Sequence, residues 1–497
     1  MSIQMRALSL AHGLLIFSIT AFVLALPANT SAQDLKVRIK VLPESRHALI
    51  DVQTAPRFDW SFRDTYANVI GLGSRIEKFQ LFGEKGDLIA SQRLAPGQFK
   101  SQIAASNFKY EVNLSPPVLP ADAAFVSWVT KERGLLMLAD LLPVPPVTNR
   151  TTSASVTIET TGLESILSSQ AKDAVGSYQV SDVARAVFAL GEHLRVTSVT
   201  ESGSAFDLVA DGDWAFADGE VIDLAGQILK AHRQVSGVMP GKHLRLVLFP
   251  FPQSAGGNQW TAETRGETVT LLVGKLPSKV AALAQLSTPL THEFFHLWVP
   301  NALALDGDYD WFYEGFTMYE AAQVGVRLNL LTFQEFLNAI ARANDAYLND
   351  PARDRWSLVE ASRRRWTGGT SSIYSKSMLV AMMTDLKLRE SGNKRGLDDV
   401  YRQLFAKYAQ GQFEKSQSQD GNDRIIDLLK SERALPTIGA TITEPTTIDL
   451  RRELLAYGLV VENSGVRTRV TVAESLTKRQ RDLLAELGYN AATHSPK

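Results

Sequence analysis

Between residues 33 and 148 apolar and polar positions alternate in short runs. Val37, Ile39 and Val41 occupy every second place, as do Tyr110, Val112 and Leu114. That is the period of strands with one buried face. Pro116, Pro117 and Pro120 interrupt the pattern, because a proline has no amide to give to a central ladder. Pro143, Pro145 and Pro146 mark a boundary. The period then changes. Val156 and Ile158 still read as strand positions. Val221, Leu224, Ile228 and Val235 recur as one face of a helix that meets Gly237, and Leu244, Leu246 and Leu248 alternate in a strand ending at Pro250. Residues 267–274 form a further strand. From about residue 320 to 433 the spacing is helical, with Leu328, Leu331, Phe333, Phe336, Leu337 and Ile340 in one core stripe and Leu397, Val400, Leu404 and Phe405 in another. After Pro436 the character is mixed, and residues 477–487 form a charged amphipathic helix. The pattern predicts a multidomain α+β chain: a β-rich N-terminal domain (33–148), a block combining a small sheet with helices (149–325), a helical domain (326–440) and a short C-terminal segment (441–497).

The first 32 residues read as a secretory signal: Arg6, an apolar run over 13–26, Pro27, then the small residues Thr30, Ser31 and Ala32 before Gln33. The expectation is an exported protein, periplasmic or secreted; the alternative is an uncleaved N-terminal anchor. The chain has no cysteine, which excludes a lipid-modified cysteine, disulfides, thiol catalysis and thiolate metal sites. Its formal net charge is −1, so nothing points to nucleic acid. The expected partner is a peptide or protein substrate, with no stable membrane insertion once the signal is removed.

The densest chemistry lies in Thr291-His292-Glu293-Phe294-Phe295-His296-Leu297-Trp298. On a helix, positions i and i+4 share a face one turn apart, so His292 and His296 can hold one metal ion. Glu293 sits about a hundred degrees round the helix, within reach of a water on that metal. The phenylalanines and Trp298 make the rest of the helix apolar, and buried imidazoles beside a buried carboxylate need partners. Catalytic zinc usually takes three protein ligands. Glu314, in Trp311-Phe312-Tyr313-Glu314-Gly315-Phe316-Thr317, is the candidate third. Thr288 with Pro289 behind it reads as the start of the zinc helix, and Asp310 as the cap of the next.

These two segments resemble the zinc peptidases of the glycyl aminopeptidase family and, more loosely, the aminopeptidase N and leukotriene hydrolase family. The resemblance implies a thermolysin-like catalytic domain, a preceding β domain, one Zn2+ on His292, His296 and Glu314, and Glu293 as general base. It also implies an oxyanion donor: Tyr374, in Ser372-Ile373-Tyr374-Ser375-Lys376-Ser377, matches the family's tyrosine, with Ser377 where glycine is usual. Members often end in a PDZ domain; the tail after Thr441 is too short for one, so none is expected. Aminopeptidases of these families hold the substrate amine with a glutamate in a glycine-rich segment. The comparable region has Gly256, Gly257 and Gln259, the expected substrate-binding residues, with Gln259 near where the glutamate would stand. A neutral amide holds an ammonium weakly, so aminopeptidase and endopeptidase action both stay open. Nearby Glu263 has two readings: a substitute for that glutamate or, favoured, a solvated loop residue. Arg363, Arg364 and Arg365 read as a solvated helix face rather than an anion site. The competing function is a catalytically weak or inactive peptidase fold that binds peptides or an envelope partner.

Overall fold

A computed structural model describes residues 35–143, 151–390, 395–410, 419–431, 435–465 and 467–490. The expected signal segment lies outside the described residues. Among those described, no helix is long and apolar enough to cross a membrane.

The N-terminal part is built on a nine-stranded sheet. Its centre is Leu35–Leu42, His47–Ser61 and Gln98–Asn113, paired antiparallel. The alternating burial follows the sequence: Val37, Ile39 and Val41 face a core with Ile50, Phe108, Tyr110 and Val112. The sheet reaches beyond residue 148. Ala154–Thr160 lies parallel to Leu35–Leu42, and Val187–Gly191 pairs with Arg133–Met137 in a second sheet. Periodicity reveals a strand but not its partner, so Val156 and Ile158 read as strand positions without showing that they join the N-terminal sheet.

The next layer is a five-stranded sheet of β1 (Arg195–Glu201), β2 (Ser204–Ala210), β3 (His243–Pro250), β4 (Trp260–Arg265) and β5 (Thr268–Val273), in the order β1-β2-β3-β5-β4. β3 is apolar on both sides because both faces are covered. Leu244, Leu246 and Leu248 meet the helices, while Val247 and Phe249 pack with Trp128, Leu135 and Met137 of the N-terminal part. Among the described residues β4 pairs only with β5 and forms the edge.

Two helices cover the inner face: α1 (Asp218–Ser236) and α2 (Lys279–Trp298). α2 begins ten residues before Pro289, capped by Ser278, whose hydroxyl accepts from the Ala281 amide. The expected start at Thr288 is therefore wrong. Residues 279–286 are rich in alanine and leucine, strong helix formers, and the helix carries Pro289 inside it. Beyond lie α3 (Thr317–Arg327), α4 (Phe333–Asn349) and α5 (Ser377–Glu390). The tail stays attached to this helical part: in the hairpin Leu459–Ser464 and Arg467–Val472, Thr468 accepts from Asn344 Nδ2 at 2.9 Å and donates its amide to Asp345 at 2.6 Å. The whole is a mixed α+β chain with a β-rich N-terminal region and a helical C-terminal part.

Candidate metal centre and active site

His292 and His296 stand on the last two turns of α2, directed at Glu314. Glu314 belongs to a π-helical turn, Trp311–Phe316, that runs straight into α3. His292 Nε2 and His296 Nε2 lie 3.1 Å apart. Glu314 Oε2 is 3.7 Å from the first and 3.5 Å from the second. Ligand atoms about 2.0–2.2 Å from a tetrahedral zinc are about 3.4 Å from one another. The three atoms therefore already trace one face of a zinc tetrahedron, and the two-nitrogen, one-carboxylate donor set suits that metal. Among the described residues this is the one group of three such side chains that converges. His296 Nδ1 lies 2.9 Å from the Val299 carbonyl, which fixes the ring and leaves Nε2 for the metal.

Burial opposes charge on His296, but the facing Glu314, joined by Glu293 and the Val299 carbonyl, wins and pushes the imidazole up to about 9. Burial likewise opposes ionisation of Glu314. The charge on His296, the closeness of both imidazoles and the Arg365 guanidinium overcome it and hold that carboxyl well below the usual range. His296 therefore carries a proton at neutral pH that a metal must displace. Its folded value lies above the ordinary 6.5, so the ion pair steadies the zinc-free chain fully below that pH and is lost as pH rises through about 9. Zinc binding near pH 7.5 is expected to release about one proton from this pair. Calorimetry in buffers of different ionisation heat measures it; zinc uptake with no proton release would contradict the assignment.

Arg365 organises the floor of the site, contrary to its reading as part of a solvated face. Its Nη2 donates to Glu314 Oε1 and to the Tyr374 hydroxyl, both at 2.7 Å. Its Nη1 donates to Asp310 Oδ1 at 2.8 Å and to the Tyr313 hydroxyl at 2.9 Å. Asp310 is likewise not the helix cap expected. It makes no side-chain cap bond; its carboxylate takes Arg365 and the Tyr313 hydroxyl instead. Tyr374 sits on a second π-helical turn, Ser372–Lys376, ahead of α5. Burial first, then the charge of Glu314, raises its phenol above the ordinary value against the pull of Arg365. The phenol therefore keeps its proton at neutral pH. Arg365 donates to its oxygen, and the neighbouring Glu314 carboxylate favours the protonated form.

The two π-helical turns touch at Gly315. A Cβ there would lie 2.2 Å from Ser377 Cβ and 2.7 Å from the Ile373 carbonyl. Only glycine lets the turn carrying Glu314 close on the turn carrying Tyr374. The space that a family glycine would leave at 377 is supplied from the other side, and Ser377 Oγ donates to the Ser372 carbonyl at 3.2 Å.

Glu293 is also placed by a neighbour: Thr264 Oγ1 of β4 lies 2.8 Å from Glu293 Oε2 and 2.9 Å from its carbonyl. The glycine-rich segment forms a tight turn next to β4. Gln259 Oε1 accepts from the Gly256 amide at 2.9 Å, and Gln285 Nε2 donates to the Gly257 and Gln259 carbonyls. The glycines serve close packing: a Cβ on Gly257 would come 2.8 Å from the Lys275 carbonyl. Gly256, Gly257 and Gln259 thus form a turn packed against Gln285 and Lys275, and they are not among the residues that line the metal cleft of about 760 Å³. Glu263 does line it. It is on β4, not in a loop. It accepts from the Tyr66 hydroxyl and lies 3.5 Å from Arg265 Nε. Tyr66 comes from the N-terminal part, with the Arg63 and Arg265 guanidinium carbons 4.7 and 4.1 Å from its ring centre. Burial first, and the charges of Glu293 and Glu314, raise the Glu263 carboxyl; Arg265 and Tyr66 oppose this.

The family model of the M61 glycyl aminopeptidase matches residues 285–380, the stretch holding both histidines, Glu314 and Tyr374. No curated protein matches the chain. Among solved structures, an aminopeptidase N family protein from Idiomarina loihiensis is similar with a TM-score of 0.71 at 15% identity, over 86% of this chain and 79% of that one. An M1 zinc metallopeptidase from Deinococcus radiodurans is similar with a TM-score of 0.55 at 13% identity, over 84% of this chain and 95% of that one. A variant of the latter bound to a Tyr-Ser-Ala substrate gives a TM-score of 0.53 at 12% identity. At such identities the likeness establishes the fold.

Proposed function

We propose that this zinc metallopeptidase cuts single residues from peptides with a free N terminus, using Glu293 as general base and Tyr374 as oxyanion donor. The observation that carries the reading is the convergence of His292 Nε2, His296 Nε2 and Glu314 Oε2 with zinc-like spacing, inside the stretch that matches a peptidase family. Zinc, when bound there, supplies Lewis acidity that makes water nucleophilic near neutral pH and polarises a carbonyl. Glu293, steered by Thr264, takes the proton of the attacking water and returns it to the departing amine. Tyr374 donates to the oxygen that gains charge in the transition state; removing such a donor typically costs about a hundredfold or more. Arg365 holds Glu314 and Tyr374 in fixed relation through one guanidinium.

Glu263 is the residue we assign to the substrate's free amine, in place of Gln259. It is a carboxylate on the edge strand, in the same cleft as the metal triad, and a charge-assisted bond to an ammonium is stronger than one from an amide. Glu263→Gln is expected to raise KM for free-amine peptides at least tenfold, with a smaller change in kcat. Steady-state kinetics on matched free and N-acetylated peptides test it. Rapid cleavage of the acetylated series by the unaltered protein would make the enzyme an endopeptidase instead.

Export belongs to the same proposal, supported by Arg6 and the apolar run over 13–26. N-terminal sequencing of the mature protein decides it: a start near Gln33 agrees, and an intact Met1 contradicts.

A further inference from the structure

Glu263 and Arg265 stand two residues apart on β4, on one face of the strand, and both line the metal cleft. Tyr66 and Arg265 both engage Glu263 Oε1, which leaves Oε2 for a substrate's amine. Arg265 is only 5% exposed. Its Nη2 donates to the Phe125 carbonyl at 2.8 Å, while its Nη1 has no hydrogen-bond partner among the described residues. A buried donor without an acceptor is costly. One that belongs to a wall of the substrate cleft points to an acceptor that the substrate brings.

The charges around Glu263 point the same way. Arg63 and Arg265 both stand over the Tyr66 ring. Burial, then the charge of Arg265, holds the Arg63 guanidinium below its ordinary value. The other carboxylate that acts on both, Asp140, is engaged by Arg75 at 3.4 Å and by Ser127. Two cations therefore surround one carboxylate of the cleft, and an ammonium on Glu263 makes a third. A first residue with an anionic side chain restores the balance. Its carboxylate and its amine are a few bonds apart, and Arg265 Nε lies 3.5 Å from Glu263 Oε1, so one residue can meet both groups. A basic first residue finds no comparable partner. Asp310 and Glu314 are held by Arg365, Glu293 faces the attacking water, and Asp308, the remaining carboxylate of the cleft, is exposed.

We infer that the cleft selects peptides whose first residue is acidic, with the amine on Glu263 Oε2 and the side-chain carboxylate on Arg265 Nη1, an inference that rests on the free-amine reading above. The test uses zinc-loaded full-length protein and tripeptides X-Ala-Ala, free and N-acetylated, with X as Asp, Asn, Glu, Gln or Lys. Each acid and its amide differ in charge and hardly in shape. In the better of the two pairs the acid is expected to give kcat/KM about 10- to 100-fold above the amide, with Lys below both amides. Arg265→Gln brings that ratio to about threefold or less. Should melting curves show that this variant does not fold, Arg63→Gln, whose side chain is half-buried, decides: the ratio is expected to fall about threefold or more, and an unchanged ratio overturns the inference. A ratio near one in the unaltered protein, Lys preferred over both acids, or a ratio preserved in folded Arg265→Gln would also overturn it. Acetylated peptides cut with the same preference for acids would sink the free-amine reading and leave the anion site standing. Free peptides cut without that preference, and acetylated ones left intact, would do the reverse. Should no peptide be cut, dissociation constants for the same set on zinc-loaded Glu293→Gln protein decide: acids held more tightly than their amides support the site, and no order overturns it.

Discussion

Glu293→Gln is expected to lower kcat by about a thousandfold or more while zinc content stays at the level of the unaltered protein. Glutamine keeps the shape of the side chain and its contact with Thr264 Oγ1, which can donate to the amide oxygen as it does to Glu293 Oε2 at 2.8 Å. What it loses is the ability to accept a proton from water. Glu293 supplies none of the three converging ligand atoms, so the metal does not depend on it. Metal analysis and peptide cleavage on the same preparation separate the two roles. A variant retaining most of its activity removes Glu293 from the mechanism; a variant that loses zinc makes it a structural residue.

Arg365→Met should have the second largest effect, on both activity and stability. The guanidinium reaches Glu314, Tyr374, Asp310 and Tyr313 through two nitrogens. Methionine fills similar volume but leaves Asp310 as a buried carboxylate without its cation and takes from Glu314 one of the cations that face it. Breaking a buried charge pair from one side costs about 3–5 kcal/mol, which for a chain of this size is a drop of several degrees or more in Tm. With zinc added, part of the stability returns because a divalent ion neutralises Glu314 more fully than His296 alone. Activity stays low, by about a hundredfold, because Tyr374 loses the group that orients it. Arg365→Lys is expected to rescue little: an ammonium is a point charge and cannot span four acceptors held by a planar fork. Melting curves with and without zinc, read beside kcat, check this. A lysine variant with full activity would reduce Arg365 to a bulk charge.

The contrast between Glu293 and Arg365 shows what a sequence reveals. His292, Glu293 and His296 are legible because helical spacing alone brings them together. Glu314 is legible because its segment has a recognisable local form. Arg365 sits in a run of three arginines, the ordinary signature of a solvated face, and nothing local marks which one is buried. Its role arises only when residues 310, 313, 314 and 374 meet in space. Tyr66 is harder still, since its partner Glu263 lies 197 residues away on another sheet. Pro289 misleads in the opposite direction: it looks like a helix start, yet the preceding alanines and leucines carry the helix past it. The glycines at 256 and 257 mark a tight turn, and turn geometry alone does not say whether that turn touches substrate.

One zinc ion per chain is expected to drive peptide hydrolysis. The direct measurement is a zinc titration of chelator-stripped protein, following cleavage of a free-amine peptide. Activity is expected to be absent at the start, to rise in proportion to added zinc and to level at one equivalent. Hydrolysis that persists in the stripped protein, or that is unchanged when Glu314→Ala and His296→Ala are combined, would contradict it.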